Sequence, residues 1–443
     1  MKLLYLLFFL FFIIGCSQEV PLKLPSKKVE TKWGEHIQDL KDIDQNISTY
    51  IPTHFKSTYI SSLERYEKKY FIPWNIKKID ISLYDATWAY RAFNAENSFG
   101  ENLQPLKANF FDDIYKRSNF EEFATLNKKA ITLKRLNIRA FPTIKPLLMD
   151  PKKAGEGFPF DYLQNSLIAA NKPILVSHYS RDREWVFVET SFTYGWVKSA
   201  DIAFIPQKYT QLYEEAQKEF LTKDGIPIYD RKGNFLFRSR IGMMLAEISE
   251  DSGSYTVLTI GKYKNTQAYY MQSKLSKDLA HKSILKFNKK NIIAIFKQVS
   301  NTKYGWGGMY GQRDCSSTLR DFYAPFGLWL PRNSYKQSKV GKVISLVGLS
   351  DDEKLNMIKE KGIPFKTLLY KRGHILLYVG IKKGRVIVFH NTWGVKTDKN
   401  GVEGRFLIGK SIFSSLKVGS NLQYYDEDAS LLRNLKSMNI LTE

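Results

Sequence analysis

A glycine-rich loop that leads into a helix at a cysteine constrains this chain more than any other segment. The loop YGWGGMYGQRDCSS spans 304–317, and Leu319, Phe322 and Phe326 follow Cys315 by 4, 7 and 11 residues. This spacing predicts one apolar helical stripe that begins at Cys315. The N–H groups and dipole of a helix start favour a thiolate, lower its pKa and can stabilise an oxyanion. The pattern is typical of a nucleophile.

The N-terminus holds the other of the two cysteines. The run MKLLYLLFFLFFIIGCSQEV has one basic residue, Lys2, and an apolar stretch from Leu3 to Ile14 that ends just before Gly-Cys16. The stretch is shorter than the about 20 residues of a membrane span and is typical of a secretory signal. An uncleaved anchor with an incidental cysteine is the alternative.

The sequence IIGC resembles the lipobox of bacterial lipoproteins. The resemblance implies a signal peptide over 1–16, a lipid on Cys16 and a tether over 17–30. With Ser17 after the cysteine, it implies an outer-membrane lipoprotein of a Gram-negative bacterium that faces the periplasm. Cys315 is then the one free thiol in an oxidising compartment, which makes it a candidate reactive group. A buried structural cysteine is the alternative.

Composition narrows the possible partners. Lys and Arg number 67 against 44 Asp and Glu, a net charge of +23, and 43% of the residues are hydrophobic. The apolar content is sufficient for several cores and argues against disorder. The charge fits nucleic acid, an anionic membrane surface or an acidic wall polymer. Because an exported protein does not meet nucleic acid, we expect no such partner; we expect a generally basic, solvated surface and a monomer.

The segment patterns predict a multidomain α+β protein. Residues 31–120 are mostly helical, and STYISSLERYEKKYF is the clearest amphipathic segment. Short β-rich runs predict two small barrels, over 121–205 and, more weakly, over 206–285. The runs NIRAFPT and GWVKSADIA of the first barrel resemble the opening and closing of bacterial SH3-like domains. Residues 286–415 carry the cysteine, and 416–443 are predicted to be a C-terminal tail.

Two of the six histidines lie on one predicted hairpin in the same domain as Cys315, GHILLYVGIKKGRVIVFHNTWG. A three-residue loop ending at a left-handed Gly384 would pair Leu376 with His390. His374 and His390 would then be diagonal neighbours about 7 Å apart on one face, whereas a two-residue turn would place them on opposite faces. The hairpin predicts His374 as the base that contacts Cys315, with its tautomer held by His390.

A metal site is the alternative for the two histidines. No further carboxylate or cysteine joins them at the spacing of metal ligands, so we predict no metal and no cofactor.

The segments YGWGGMYGQRDCSSTLRDFYAPFGLWLPRNS, RGHILLYVG and VFHNTW together resemble the NlpC-type cell-wall cysteine peptidases. The resemblance implies a papain-like α+β domain with Cys315 as nucleophile, His374 as general base and His390 as orienting residue. It also implies an oxyanion and substrate side formed by Tyr304, Asp314, Ser316, Arg332 and Ser334. Asp314 would hold a free α-amine of the substrate; a helix N-cap is the alternative, as simple packing is for Tyr304.

The layout of a helical N-terminal part and two SH3-like domains resembles a subgroup of γ-D-glutamyl-L-diamino acid endopeptidases. The resemblance implies hydrolysis of the amide between D-Glu and meso-diaminopimelate in peptidoglycan stem peptides. A CHAP-like N-acetylmuramoyl-L-alanine amidase is one alternative, because it also uses a cysteine at a helix start and a Gly-His strand. A non-catalytic murein-binding lipoprotein is the other. The YGWGG loop and the paired histidines favour the endopeptidase.

Overall fold

The computed structural model describes residues 36–52, 55–153, 155–300 and 302–441. The predicted signal peptide, the lipid on Cys16 and the tether lie outside the described residues. The elements below belong to one compact unit, residues 37–443. Within the described ranges, none of the helices combines the length and the apolar character that a membrane crossing requires.

The N-terminal part consists of short helices joined by irregular chain. Its α-helices are α1 (Asp39–Asp42), α2 (Leu63–Tyr70), α3 (Ile72–Asn75), α4 (Leu83–Ala86), α5 (Trp88–Ala92) and α6 (Ala108–Ser118). The predicted amphipathic segment forms only α2. The Ser62 hydroxyl accepts a hydrogen bond from the N–H of Arg65 and caps its start, and Pro73 limits how far the helix extends beyond Tyr70.

The N-terminal helices have no separate core. Ile47 packs into the core of the domain that carries Cys315, Trp74 packs between the two barrels, and Ile114 packs against Phe141 of the first barrel. Helices this short bury too little apolar surface to form a domain alone. The described part of the predicted helical domain, residues 36–120, therefore packs against all three other domains and is called the strap below.

The first barrel is an antiparallel sheet with strand order β3-β2-β6-β5-β4-β1-β7. Its strands are β1 (Lys128–Thr132), β2 (Leu136–Arg139), β3 (Gln164–Ile168), β4 (Pro173–Tyr179), β5 (Trp185–Thr190), β6 (Tyr194–Lys198) and β7 (Ile202–Phe204). Val176, Val186 and Val188 are fully buried in its core. The prediction of a small barrel from short β-rich runs is confirmed.

Helix α7 (Gln207–Glu215) connects the first barrel to the second. The second barrel has strands β8 (Lys218–Leu221), β9 (Pro227–Tyr229), β10 (Phe235–Arg238), β11 (Met244–Glu250), β12 (Ser254–Lys262), β13 (Ala268–Ser276) and β14 (Ala280–Lys282). Strands β9 and β10 form a hairpin, and the others form a sheet of order β13-β12-β11-β8-β14. The prediction of a second barrel, made from the weaker β pattern of residues 206–285, is therefore also confirmed.

The third domain packs helices against a sheet of order β15-β20-β16-β17-β18-β19. Its elements are α8 (Lys289–Val299), α9 (Cys315–Tyr323), α10 (Ser334–Gln337), β15 (Lys342–Ser345), α11 (Asp351–Lys361), β16 (Thr367–Lys371), β17 (His374–Lys382), β18 (Arg385–Lys399), β19 (Val402–Ser415), α12 (Leu431–Asn434) and β20 (Leu435–Ile440). The predicted stripe of Leu319, Phe322 and Phe326 is fully buried in the same core as Cys315.

Residues 416–441 are not a tail, contrary to the prediction. They supply α12 and the strand β20, which lies inside the sheet between β15 and β16. Met438 stands opposite Ile344 on one side and Leu369 on the other. The strand was missed because the three apolar residues of LKSMNI do not alternate strictly with polar ones, so the pattern alone gives a weak signal.

Candidate active site

Cys315 is the first residue of α9, as the sequence predicts. The Asp314 carboxylate accepts a hydrogen bond from the backbone N–H of Ser317 at 2.8 Å, and the Ser317 hydroxyl accepts one from the N–H of Asp314 at 2.9 Å. This capping box fixes the first turn of the helix. The buried thiol of Cys315 accepts a hydrogen bond from the backbone N–H of Ile375. The fold therefore brings the thiol to the strand that begins with His374.

The prediction of a lowered thiol pKa is wrong. Burial raises the pKa of Cys315 to about 12, and the negative charge of Asp314 adds to the increase. The N–H of Ile375 and the charge of Arg332 lower this pKa, but by less. Loss of thiolate hydration thus outweighs the effect of the helix start. The resting thiol is protonated, and a base must remove its proton when it attacks.

The histidine hairpin closes with a two-residue turn, not with the predicted three-residue loop. Lys382 pairs with Arg385, and Lys383 and Gly384 between them have φ of 49° and 74°. Positive φ at both positions gives the mirror-image turn that matches the twist of the strands. Such a turn alone would place the histidines on opposite faces.

A bulge restores the predicted register of the hairpin. Between Tyr378 and Gly380 the strand β17 contains one extra residue, so that Leu377 stands opposite Phe389. One extra residue moves every later side chain to the other face of the sheet. Leu376 is consequently level with His390, and the two histidines lie on the same face as the sequence analysis expected.

A chain of hydrogen bonds extends from His374 to Ser414. Nε2 of His374 lies 2.8 Å from Nδ1 of His390, and Nε2 of His390 lies 3.0 Å from Oγ of Ser414. The Ser414 hydroxyl donates to the carbonyl of Ser415 at 2.9 Å, so its oxygen accepts the N–H at Nε2 of His390. Nδ1 of His390 then accepts the N–H at Nε2 of His374. Nδ1 of His374 carries no proton and is available as a base.

Both imidazoles are neutral at neutral pH. Burial, followed by the charges of His390 and Lys371, lowers the pKa of His374 well below 6.5. Burial, together with the charge of Lys371, lowers the pKa of His390 to about 3. Among the described residues, no group of three or more His, Cys, Asp or Glu side chains is placed to hold a metal ion. A neutral imidazole with a free Nδ1, as in His374, can accept and return a proton.

Replacement of Ser414 by alanine is expected to lower kcat by about tenfold with little change in KM, which is the size of one net hydrogen bond. Without the serine oxygen, the N–H at Nε2 of His390 has no acceptor among the described residues, and the tautomer of His374 is no longer fixed. Steady-state kinetics on a substrate that the unmodified protein turns over would measure the effect. The matched control is Ser411→Ala, because Ser411 is buried on the same strand but bonds to Val299. Equal kcat values for the two variants would contradict the role of Ser414.

Asp314 is held by Arg332 in addition to capping the helix. Nη2 of Arg332 lies 2.6 Å from Oδ2 and Nη1 lies 3.1 Å from Oδ1 of Asp314, and Nη1 also donates to the Ser316 hydroxyl at 2.8 Å. Nε of Arg332 donates to Ser166 of the first barrel at 2.7 Å. The structure thus shows the N-cap that was the alternative reading of Asp314, and contact with a substrate amine stays a prediction.

Tyr304 lies on an aromatic wall beside the thiol. Burial raises its pKa well above the usual value, and the charges of Cys315 and Asp314 contribute, so the phenol keeps its proton. Its ring lies 5.9 Å from that of Trp393 and 6.5 Å from that of Phe160, which belongs to the first barrel. The first barrel therefore contributes Phe160 to this aromatic wall.

The glycine-rich loop is the surface on which the first barrel docks. A side chain at Gly307 would come within 2.5 Å of the carbonyl of Gln164, and one at Gly308 within 2.6 Å of Leu167. Both glycines also have positive φ, which other residues rarely adopt. Nε1 of Trp306 in this loop donates to the carbonyl of Asp161 at 2.8 Å. The loop is glycine-rich because a neighbouring domain touches its backbone.

The structure adds residues that sequence reasoning missed. Ser414 and Ser166 carry no sequence signal, because a serine becomes informative only when its partner is known. Asn391 follows His390 in the motif VFHNTW and donates to the carbonyl of Arg313 at 2.9 Å; its position beside a candidate histidine was the available signal. Ser334 begins α10 and is half-buried, and none of the described hydrogen bonds joins its side chain to the Cys315 cluster.

Four family models match the chain in order. They are a stabilising N-terminal domain of NlpC/P60 proteins over 5–123, an SH3 domain of the SH3b1 type over 146–198, an SH3 domain of the SH3b2 type over 216–252, and the NlpC/P60 family over 301–400. No curated protein matches the sequence.

Among solved structures, the chain is similar to an NlpC/P60 endopeptidase from Photobacterium damselae subsp. piscicida. The two are 24% identical with a TM-score of 0.79, over 90% of this chain and 98% of the other. An NlpC/P60 family protein from Bacillus cereus ATCC 10987 is 14% identical with a TM-score of 0.48, over 71% of this chain and 100% of the other. The first similarity shows a shared fold over nearly the whole chain.

The four models fall on the four parts of the molecule that the geometry defines. The strap matches the stabilising domain, the two barrels match the two SH3 types, and the domain with Cys315, His374 and His390 matches the peptidase family. The multidomain α+β architecture predicted from the sequence is confirmed. Residues 301–400 of the chain thus match the NlpC/P60 family, a family of cell-wall cysteine peptidases.

Proposed function

We propose that this protein is a cysteine endopeptidase that cleaves the γ-D-glutamyl amide of a diamino acid in peptidoglycan stem peptides. The observation that carries the proposal is the hydrogen-bond chain from Ser414 through His390 to His374. His374 is the first residue of the strand whose Ile375 contacts the thiol of Cys315. A protonated thiol and a neutral base of fixed tautomer suit acyl transfer.

In the proposed first step, Nδ1 of His374 takes the proton of the Cys315 thiol as the sulfur attacks the amide carbon. Backbone N–H groups at the start of α9 stabilise the oxyanion, and the protonated phenol of Tyr304 donates from the aromatic wall. His374 then passes the proton to the leaving amine of the diamino acid, the C–N bond breaks, and a thioester forms. Water deprotonated by His374 hydrolyses the thioester and restores the thiol.

The position of the first barrel supports released peptides, rather than intact cross-linked wall, as the substrate. The ring of Phe160 meets the ring of Trp306 edge to face, with 5.1 Å between the ring centroids. Its centroid lies 6.4 Å from that of the Trp393 ring. Ser166 of the same barrel bonds to Arg332, next to the helix of the nucleophile. We infer that the first barrel restricts access to the thiol, so that a free peptide is favoured over a bulkier cross-linked glycan strand.

Mass spectrometry of diaminopimelate-type muropeptides incubated with the full chain tests the bond. The expected product is L-Ala-D-Glu from free tripeptide, with little cleavage of intact sacculi. Stem peptides freed whole from their sugar would instead identify an amidase. Absence of any cleavage, by a folded protein that still binds sacculi, would leave only the murein-binding alternative.

The pH dependence of kcat/KM tests the proposed proton transfer. His374 acts as a base only when neutral, and its lowered pKa keeps it neutral well below pH 6.5. We expect kcat/KM to be constant between pH 6.5 and 8, with an acidic limb below this range. Lys371→Met removes a charge that lowers the pKa of both histidines, so its acidic limb should lie at higher pH. This mechanism would be contradicted if kcat/KM of the unmodified protein already fell with decreasing pH above pH 6.5. It would also be contradicted if the acidic limb of the Lys371→Met variant lay at lower pH than that of the unmodified protein.

We also propose that the chain is anchored to the outer membrane through a lipid on Cys16 and works in the periplasm. The lipobox-like sequence IIGC supports this placement. Metabolic labelling with palmitate should label the unmodified protein. The Cys16→Ala variant should remain unlabelled. Labelling that persists in this variant would contradict the anchor.

A further inference from the structure

A cavity of about 230 Å³ lies where both barrels meet the peptidase domain. Four arginines from three domains line it, namely Arg135, Arg238, Arg240 and Arg313. Asp224 is the one acidic side chain among the described residues of the lining. The cavity is separate from the cleft with the thiol, although Arg313 precedes the nucleophile by only two residues.

Arg313 is the buried arginine of this cavity, with 3% of its surface exposed. Nη1 pairs with Asp224 at 2.6 Å and Nε pairs with Asp321 at 2.8 Å. Nη2 is buried and has no hydrogen-bond partner among the described residues. An arginine cannot lose its proton in a protein, so this donor stays charged and unsatisfied.

The other guanidinium groups leave the cavity positive. Arg240 shares Asp321 with Arg313, at 2.8 Å. Arg238 donates to the carbonyl of Gly225 at 2.9 Å, and neither it nor Arg135 has a carboxylate partner in the described parts of the chain. Four positive charges therefore face two carboxylates, and two positive charges remain uncompensated. A bound anion would compensate these two charges.

We propose that this cavity binds a small tetrahedral oxyanion of the phosphate class, and that the anion joins the three domains. The volume of about 230 Å³ is well above the roughly 10–15 Å³ that one water molecule needs, which is room for such an ion and part of its hydration. Guanidinium forks bind phosphate oxygens in pairs. A phosphate group offers more oxygens than a carboxylate, so that forks from three domains can bind it together.

Isothermal titration of the full chain with inorganic phosphate, in chloride buffer, tests the proposal. We expect one site per chain, with affinity at least tenfold weaker in the Arg135→Gln, Arg238→Gln double variant. Both residues are exposed at the cavity mouth, so the variant keeps the fold, which circular dichroism checks. Arg231→Gln is the matched control: Arg231 is exposed in the same barrel as Arg238 but lines a different pocket, and this variant should bind like the unmodified chain.

Further titrations define the ligand class. Glycerol 3-phosphate that binds as phosphate does would show that the site takes the phosphate group of an ester, whereas binding of inorganic phosphate alone would show a site for the free ion; either supports the proposal. Acetate that binds as tightly as phosphate would overturn the tetrahedral assignment. Absence of phosphate binding, or equal affinity in the double variant, would overturn the site itself. These titrations do not depend on peptidase activity.

Discussion

Cys315→Ala is expected to lower the rate of stem-peptide hydrolysis by at least about 1,000-fold, because the covalent route has no nucleophile. The histidine chain would remain but would have no proton to take from residue 315. Single-turnover release of the diamino acid, followed by mass spectrometry, measures the loss. The small change in the core should leave the protein folded, since only the sulfur atom is removed.

The matched control for this variant is Cys16→Ala, which removes the other cysteine and leaves Cys315 in place. The control should cleave at the rate of the unmodified chain in solution. A Cys315→Ala protein that also retained this rate would exclude the thiol mechanism. Binding of muropeptides to Cys315→Ala should persist, because the walls of the cleft are unchanged.

Asp314→Ala is expected to reduce the free energy of unfolding by about 3–5 kcal/mol, because it leaves Arg332 as an uncompensated buried charge. Burial alone raises the pKa of Asp314, but the charge and hydrogen bonds of Arg332 outweigh it and lower the pKa below 3.8. The pair therefore stabilises the protein fully above pH 3.8 and loses this effect as the pH falls through the lowered pKa. Urea unfolding followed by tryptophan fluorescence measures the loss.

A control on another helix separates the ion pair from the helix cap. Ser350 forms a capping box at the start of α11 but is exposed and bears no charge, so Ser350→Ala should cost only about 1 kcal/mol. The double variant Asp314→Ala, Arg332→Met should recover much of the stability lost in Asp314→Ala. Equal losses for Asp314→Ala and Ser350→Ala would show that the pair with Arg332 contributes little.

Local patterns were sufficient to predict the elements around the nucleophile. The spacing of Leu319, Phe322 and Phe326 identified α9, and the alternation around His374 and His390 identified their hairpin. These patterns arise because the buried face of a helix or strand carries apolar side chains. That face can therefore be identified from the residues of the element itself.

Features that depend on distant partners were not predictable in the same way. The two-residue turn shifts the pairing of the hairpin by one residue relative to the predicted loop, and the bulge before Gly380 shifts it back. The predicted face of the two histidines was therefore right although the predicted loop was wrong. The predicted pKa of the thiol was wrong because a helix start is visible in the sequence, whereas the burial that outweighs it comes from residues distant in the chain, such as Ile375. The hydrogen bond from His390 to Ser414 joins residues on separate strands, and no local pattern marks it.

The strap has a consequence for the order of events during synthesis. Gln45 exchanges hydrogen bonds with Phe413, which lies 368 residues later in the chain. At about 5–20 residues per second, the ribosome needs on the order of 20–70 seconds to make this partner. The segment made first thus waits for the last strands and is expected to be the last to gain protection in pulse-labelled hydrogen exchange. The strap around Gln45 therefore completes its contacts only after the last strands of the molecule have formed.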